Sequence, residues 1–392
     1  MGKMKKILDK YAKKLVDAGL AEEDAPLIGG LDADLVWNRQ DSACHKLEKV
    51  FENLNINSLL FCQPKEPYGS IIDYLTTSPE TVTVSPEDCE TRTFMHDFPV
   101  IHSFETEQII NTLKKRRSVI IPGHGIVTWG TVSPEQAFIF FSSVCFSCFV
   151  KFFYDYLNHH RQQMVSPYEQ HTFEVAASYL DSLPDKLPLL MKGPFKTEHE
   201  VYSALSEAGR KTVEYRLVDS FFGNISYRFG DTLYISQTGA SLDELDGCID
   251  PCPLDGSSCG GLTASSELTA HQEVIQRTGM RAILHGHPRF SVILSMACEK
   301  QDCEHRGECH IRCKEKRFIY DIPIVPGEIG SGPYGLCHTL PQAMVEHRGV
   351  IVHGHGLFTV GQSDFNEAFA TMISVERMCM EKFFNEVSYD SG

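Results

Sequence analysis

One stretch of this chain is written twice. Of the thirty-one residues from Gly123 to Phe153, thirteen recur unchanged 231 positions later, between Gly354 and Phe384: GHGIVTWG…AF…SV…C…KFF answers GHGLFTVG…AF…SV…C…KFF. Ordinary composition would give about two such matches. The repeat requires one structural unit to be built twice, and 392 residues with 42% hydrophobic content supply two cores of ordinary domain size. Upstream the register becomes 224, where Leu60 and Pro64 pair with Leu284 and Pro288, Asp97 and Pro99 with Asp321 and Pro323, and Cys89 with Cys313. In that register His285 and His287 stand opposite Phe61 and Gln63, and Glu267 opposite Ala43. The framework is shared; the metal-type residues belong to the second copy alone.

Local signals divide the chain accordingly. Apolar spacing predicts helices over 3–18 and 42–54, the second leading into a buried strand at Ile56–Phe61. Val119–Ile121 ends a strand at Pro122-Gly123-His124-Gly125, and a long apolar helix runs from Ser133 to about Leu157, with a further helix near 168–182. Three prolines and a glycine among the fifteen residues from Ser182 to Lys196 mark a linker, so the domains are expected at 1–185 and 186–392. In the second, helices are expected over Glu198–Leu217, Ser266–Arg277 and Asp364–Glu386. Strands are expected at Ser226–Phe229, Thr232–Ser236 and Ala282–His285, the first two turning at Gly230-Asp231. Strands and helices mix without strict alternation, which favours an α/β layered fold with a largely antiparallel sheet over a doubly wound one.

The balance of charge narrows the partners. A formal charge of −16 argues against a nucleic-acid surface, which needs clustered Lys and Arg. No apolar run is expected to approach the roughly 20 residues that span a bilayer, and the opening MGKMKKILDKYAKKLVDAGL carries charge at helical spacing, so a cytoplasmic protein without membrane contact is expected. Fourteen cysteines in such a chain read as thiols or metal ligands before disulfides.

The chemistry concentrates in the second half. His285-Gly286-His287 closes an apolar strand, and period-two alternation sends both imidazoles to one side. His355, in Val352-His353-Gly354-His355-Gly356-Leu357, offers a third at another strand end. Three neutral imidazoles leave a coordination position open, as in catalytic zinc sites, although iron, cobalt or manganese would also be accepted. Ser265-Ser266-Glu267 at a helix start, Gly223-Asn224-Ile225-Ser226 and Thr238-Gly239 supply hydroxyls, an amide and backbone donors without a lysine, a set suited to a phosphate monoester. Singly, each also reads as an ordinary cap or turn. Four further thiols, Cys298, Cys303, Cys309 and Cys313, with His305 and His310 between them, are candidates for a second zinc or an iron–sulfur cluster, with Cys248, Cys252 and Cys259 as additional ligands. The alternative is a loop of unliganded thiols or disulfides.

Taken in order, GNIS, the TG pair, SSE…H, HGHP and HGHG resemble the class II aldolase and adducin family, over roughly Glu198 to Glu386. The resemblance implies two tandem α/β/α layered domains of that kind, the first degenerate. It implies that His285, His287 and His355 hold Zn2+, with His353 left out because the family's third histidine directly precedes Gly-Leu. It makes Glu267 the metal-proximal acid and base, and gives the substrate phosphate to Asn224, Thr238, Gly239, Ser265 and Ser266. The implied activity is that of a class II aldehyde-lyase, reversibly cleaving a ketose phosphate to dihydroxyacetone phosphate and an aldehyde through a metal-stabilised enediolate. Decarboxylation of a 3-keto sugar-acid phosphate, 4-epimerisation and a non-catalytic adducin-like scaffold are the alternatives; the related epimerases carry Asp where this chain has Glu267. Family rings of four imply a homodimer or larger homo-oligomer forming a pseudo-fourfold ring, in which the first copy lines the second copy's site. Two features depart from the pattern: the cysteine segment, and Gly327 where a proton-donating tyrosine is expected, with Tyr320 and Tyr334 the nearest substitutes.

Overall fold

In a computed structural model, residues 2–180, 182–184, 186–218, 222–257, 262–300 and 302–388 are described, and they fall into two compact units, Met1–Asp181 and Ser182–Gly392. The first runs α1 (Lys3–Asp17), β1 (Leu27–Leu31), β2 (Leu35–Trp37), α2 (Cys44–Asn53), β3 (Ser58–Cys62), α3 (Tyr68–Leu75), β4 (Thr83–Val84), α4 (Cys89–Phe94), β5 (Phe98–Pro99), α5 (Thr106–Leu113), β6 (Ser118–Ile121), β7 (Gly125–Gly130), α6 (Pro134–Arg161) and α7 (Pro167–Ser178). Its sheet is ordered β2-β1-β3-β7-β6, every pair antiparallel. Helix α1 buries Leu8, Tyr11 and Leu15, its apolar stripe at spacing three and four. Each such side chain contributes about 1.5–3 kcal/mol by leaving water.

Helix α6 corrects one expectation. It is long and apolar enough to cross a membrane by length and composition, yet 83% of its most apolar window is buried within the structure. It packs on α1, α3, α7, β1, β3, β6 and β7, and Lys151 pairs with Asp155 at 2.9 Å along its length. An all-round apolar helix of this kind is what the centre of a unit needs.

The second unit runs α8 (Glu198–Glu214), β8 (Asn224–Phe229), β9 (Thr232–Ser236), β10 (Ile249–Pro253), α9 (Leu268–Thr278), β11 (Ala282–Gly286), α10 (Arg289–Met296), α11 (Cys309–Arg312), β12 (Arg317–Ile319), β13 (Ile322–Val325), α12 (Leu340–Met344), β14 (Gly349–Val352), β15 (Gly356–Gly361) and α13 (Phe365–Ser388). Its sheet is ordered β10-β9-β8-β11-β15-β14-β13-β12, with β13–β14 the one parallel strand pair among the described residues. Within it the run β9-β8-β11-β15-β14 repeats the first unit's β2-β1-β3-β7-β6, element for element. Register agrees as well: Leu60 pairs with Ile28 and Thr128, and Leu284 with Ile225 and Thr359. Helix α9 covers one face through Ala270, Val274 and Ile275 against Ile283, Val350, Phe358 and Val360. The helix begins two residues later than the spacing suggests, which leaves Glu267 at its N-cap position.

Candidate active site

Strand β11 ends, and its antiparallel neighbours β8 and β15 begin, beside the N-terminus of α9, and the residues at these strand termini form the site. Asn224 opposes His285, and His285 opposes Phe358, so these side chains share the sheet face that α9 covers. His287 follows β11 by one residue and His355 precedes β15. Their ring nitrogens lie within 4.8 Å of one another, with His287 Nε2 only 3.0 Å from His285 Nε2. The backbone of Gly356 passes beneath: a Cβ there would stand 2.5 Å from His287 Cδ2 and 2.7 Å from His285 Cε1, so only glycine lets both rings meet. Phe358 stacks on His285 at 3.8 Å between centroids, and Phe222 on His287 at 5.8 Å.

Burial sets the charges. Desolvation, reinforced by the neighbouring rings, holds His285 and His287 well below the usual imidazole range and lowers His355 to about 4. All three are neutral at pH 7. With His285 Nδ1 3.2 Å from the Leu357 carbonyl, that nitrogen donates and Nε2 turns a lone pair to the centre. Glu267 completes the group, its carboxylate 3.3 Å from His355 Nε2 and 3.7 Å from His285 Nε2. Burial pushes it up to about 7, opposed by the Asn224 amide, which donates to Oε2 at 2.6 Å. Three neutral imidazoles beside one carboxyl are a donor set that fits a divalent cation, Zn2+ among them.

The remaining candidates divide. Thr238 donates through N to Thr263 O at 3.0 Å and through Oγ1 to Ala264 O at 2.9 Å, which places Thr238 and Gly239 beside Ser265 and Ser266 at the start of α9. Ser265 Oγ accepts from Glu267 N at 3.3 Å. Asn224 is buried, its amide spent on Glu267, while its Oδ1 finds no partner among the described residues. His353 stands outside the triad; burial, with the charges of Arg317 and His310, lowers it to about 3. Gly327 has no room for a side chain, since a Cβ would stand 2.6 Å from Leu336 Cα, and Tyr320 and Tyr334 are both exposed.

The cysteine segment is a correction. The triad is the one group of three or more metal-type side chains gathered among the described residues; Cys298, Cys303, Cys309 and Cys313 do not form a second. The thiols turn to carbonyls instead, Cys309 to His305 O at 3.8 Å and Cys313 to Glu315 O at 3.6 Å. Cys248 and Cys252 form no disulfide among the described residues, and Cys259 lies outside them. Among the described residues no second group of zinc or iron–sulfur ligands is gathered there.

Motif reading missed the supports: Phe358 and Phe222 against the rings, and Glu376, whose carboxylate accepts from Phe290 N at 2.8 Å and Ser291 N at 2.9 Å at the start of α10. It quoted Ser226 and His271 only as members of the GNIS and SSE…H motifs and did not pair them, though their hydroxyl and ring meet at 2.7 Å. For that pair a signal existed, as His271 is one helical turn after Glu267 and Ser226 two residues after Asn224.

Comparison with known proteins gives the family of the second unit. Residues 203–382 match the class II aldolase and adducin N-terminal domain. The chain is 30% identical over 156 residues to an L-fuculose phosphate aldolase of Methanococcus maripaludis, covering 38% of this chain and 76% of that one. It is 25% identical over 166 residues to a probable bifunctional methylthioribose-1-phosphate isomerase/methylthioribulose-1-phosphate dehydratase of Nocardia farcinica, spanning 36% of this chain and 28% of that protein. Among solved structures, L-fuculose-1-phosphate aldolase from Thermus thermophilus aligns over 50% of this chain and 100% of its own, with 25% identity and a TM-score of 0.41. The chain belongs to the class II aldolase and adducin family, and its second unit carries the domain.

Proposed function

We propose that the second unit is a metal-dependent aldehyde-lyase that cleaves a phosphorylated ketose to dihydroxyacetone phosphate and an aldehyde. His285, His287 and His355 would hold the cation, Zn2+ first among candidates. The observation that carries this reading is Glu267, a buried carboxyl near pKa 7 placed within 3.7 Å of two of those imidazoles. A cation bound there would act as a Lewis acid on the substrate carbonyl.

The chain's own part is proton handling and binding. A buried carboxyl at the edge of the cation site is placed to take up and return a proton at the carbon beside a carbonyl. Asn224 fixes its Oε2, leaving Oε1 on the His355 side. Thr238, Gly239, Ser265 and Ser266 would take the phosphate at the N-terminal end of α9, where the helix dipole and hydroxyls favour an anion. Closure of the α9 face by Ile283, Phe358 and Val360 keeps bulk water behind the carboxylate excluded.

We also infer that the chain arose by tandem duplication and that the first unit has lost the chemistry, with paired chains forming a ring of alternating units. Repeated strand order and thirteen shared residues support the first inference. Mass measurement in solution tests the second, which a fully active monomer would remove.

Metal analysis combined with a panel of ketose 1-phosphates tests the function. One zinc per chain, lost in His285→Ala, with release of dihydroxyacetone phosphate, is the expected result. Metal binding accompanied by a dehydrated product would move the assignment to dehydration, the activity named for the Nocardia relative, which also begins with proton removal beside a carbonyl.

A further inference from the structure

The second unit buries a histidine that the proposed reaction does not use. His271 is fully buried in α9, one turn beyond Glu267, and desolvation lowers it to about 3, so the ring is neutral. Its Nδ1 lies 2.7 Å from Ser226 Oγ, its Nε2 finds no hydrogen-bond partner among the described residues, and its ring stands edge-to-face with Phe358 at 6.0 Å between centroids. A buried ring with one unsatisfied nitrogen is a costly way to fill a core.

The first unit shows that the fold does not need it. In matched register Asn224 corresponds to Leu27 and Ser226 to Gly29, while Glu267 and His271 correspond to Ala43 and Leu47 at the same places on α2. There the helix sits on the strand through Leu27, Ala43 and Leu47, all within one apolar cluster. In the second unit both contacts between helix and strand are polar: Asn224 to Glu267 at 2.6 Å, then Ser226 to His271 at 2.7 Å, one turn further in. Apolar packing leaves a helix free to slide or roll by a fraction of an ångström, whereas a directional hydrogen bond does not.

We propose that Ser226 and His271 are positioning residues, whose hydrogen bond locks the first turn of α9 onto β8 and so fixes the Glu267 carboxylate against His285 and His355. The inference deepens the acid–base reading of Glu267 and rests on it. His271 touches no substrate in this account; it acts through the helix.

The first unit supplies the test substitution, His271→Leu, with Ser226→Ala as its partner and His271→Asn as the conservative replacement that returns a polar atom near the Nδ1 position. Three measurements separate position from bulk stability. Amide hydrogen exchange of metal-free protein should accelerate roughly tenfold at 268–271 in His271→Leu and Ser226→Ala, with exchange elsewhere in the second unit and the melting temperature retained. Titration with Co2+ should still give one ion per chain. Deuterium exchange into dihydroxyacetone phosphate by the metal-loaded protein, the half-reaction that needs the cation and the acid–base group but no aldehyde, should lose tenfold or more in turnover with little change in KM. His271→Asn should recover most of both losses.

First-turn exchange and turnover within threefold of the parent in His271→Leu would overturn the proposal. So would acceleration spread evenly over the unit, since that marks a plain stability role. Should the parent protein bind no Co2+ and exchange no substrate deuterium, the proposed reaction fails, and the amide exchange of the metal-free variants still decides whether the pair locks α9. If His271→Leu fails to fold, the proposal is overturned, because Leu47 in the first unit would then be no guide to the second.

Discussion

At the strand ends where the second unit gathers three imidazoles, the first unit packs Phe61 against Phe104 at 5.0 Å and Phe104 against His124 at 5.6 Å. Beside His124 and Gln63 a cavity of about 20 Å³ remains, room for about one water molecule, and no other imidazole lines it. Strand order, register and helix placement agree between the units, so the backbone alone does not make the site. The difference lies in a handful of side chains that carry a cost in one unit and none in the other. Apolar residues at these positions satisfy the core; imidazoles, an amide and a carboxyl must be held neutral or paired to stay there.

The sharpest break between the units should come from the histidines. His285→Ala or His355→Ala should abolish zinc binding, measured by metal analysis, and lower dihydroxyacetone phosphate release roughly a thousandfold or more. His124→Ala in the first unit should change neither. A comparable loss in His124→Ala would mean that the units do not divide the chemistry as proposed.

Glu267 and Ala43 give the next contrast. Glu267→Gln keeps the shape and the Asn224 neighbour while removing the titrating proton, so zinc should stay and turnover should fall about 10²–10⁴-fold. The reverse exchange, Ala43→Glu, places a carboxyl in an apolar cluster with no imidazole or amide beside it. It should destabilise the first unit by roughly 3 kcal/mol in denaturant titration, the outcome for a buried polar group without a partner.

The elements of the first unit were legible where period and punctuation were strong. The reading 3–18 became Lys3–Asp17, and the helix from Ser133 became Pro134–Arg161. Strands β1 and β2 escaped notice because Leu27–Leu31 contains two glycines and Leu35–Trp37 has three residues, too short to show alternation. Of the site, the three histidines and Glu267 could be named from motifs, because each stands beside glycine or serine at a strand or helix end. Phe358 and Phe222 could not, since aromatic residues in a core have the same sequence signature whether or not they hold a ligand; Ser226 and His271 stood in those motifs, and only the folded structure pairs them. The cysteine spacing misled for the opposite reason: it put four thiols near one another in sequence, and the backbone then aimed two of them at carbonyls.

Acid should separate the units by a smaller margin. In the metal-free second unit, burial holds His285 and His287 well below 6.5 and lowers His271 and His353 to about 3 and His355 to about 4, so each of these five histidines binds its proton only after unfolding and costs stability as pH falls from 6.5. Glu267 and Glu376, raised to about 7, act in the other direction between 4.5 and 7, because the native state holds their protons more tightly. Five protons favouring the unfolded chain outweigh two favouring the native one, and between pH 6.5 and 4.5 stability should fall by on the order of 4 kcal/mol per pH unit at most. In the first unit the raised carboxyls Asp73 and Asp88, both shifted by burial, favour the native state as pH falls. Amide exchange resolved by unit, followed from pH 7 to 5, should show the second unit opening first; simultaneous opening would contradict the balance of buried groups.

The cysteine segment gives the smallest expected effect and tests the limit of the comparison. Cys313 has a counterpart in Cys89, but Cys298, Cys303 and Cys309 belong to the second unit's own loop, where one would look for a feature added to the active copy. Replacing Cys298, Cys303, Cys309 and Cys313 together by serine removes four half-buried thiols, each able to pass its weak hydrogen bond to a hydroxyl of similar size. Zinc content should therefore remain one per chain and turnover within about twofold, a change no larger than that of an ordinary surface substitution. Loss of a second equivalent of metal, or of most of the activity, would show that the loop completes the site and that the units differ by more than the side chains at their strand ends.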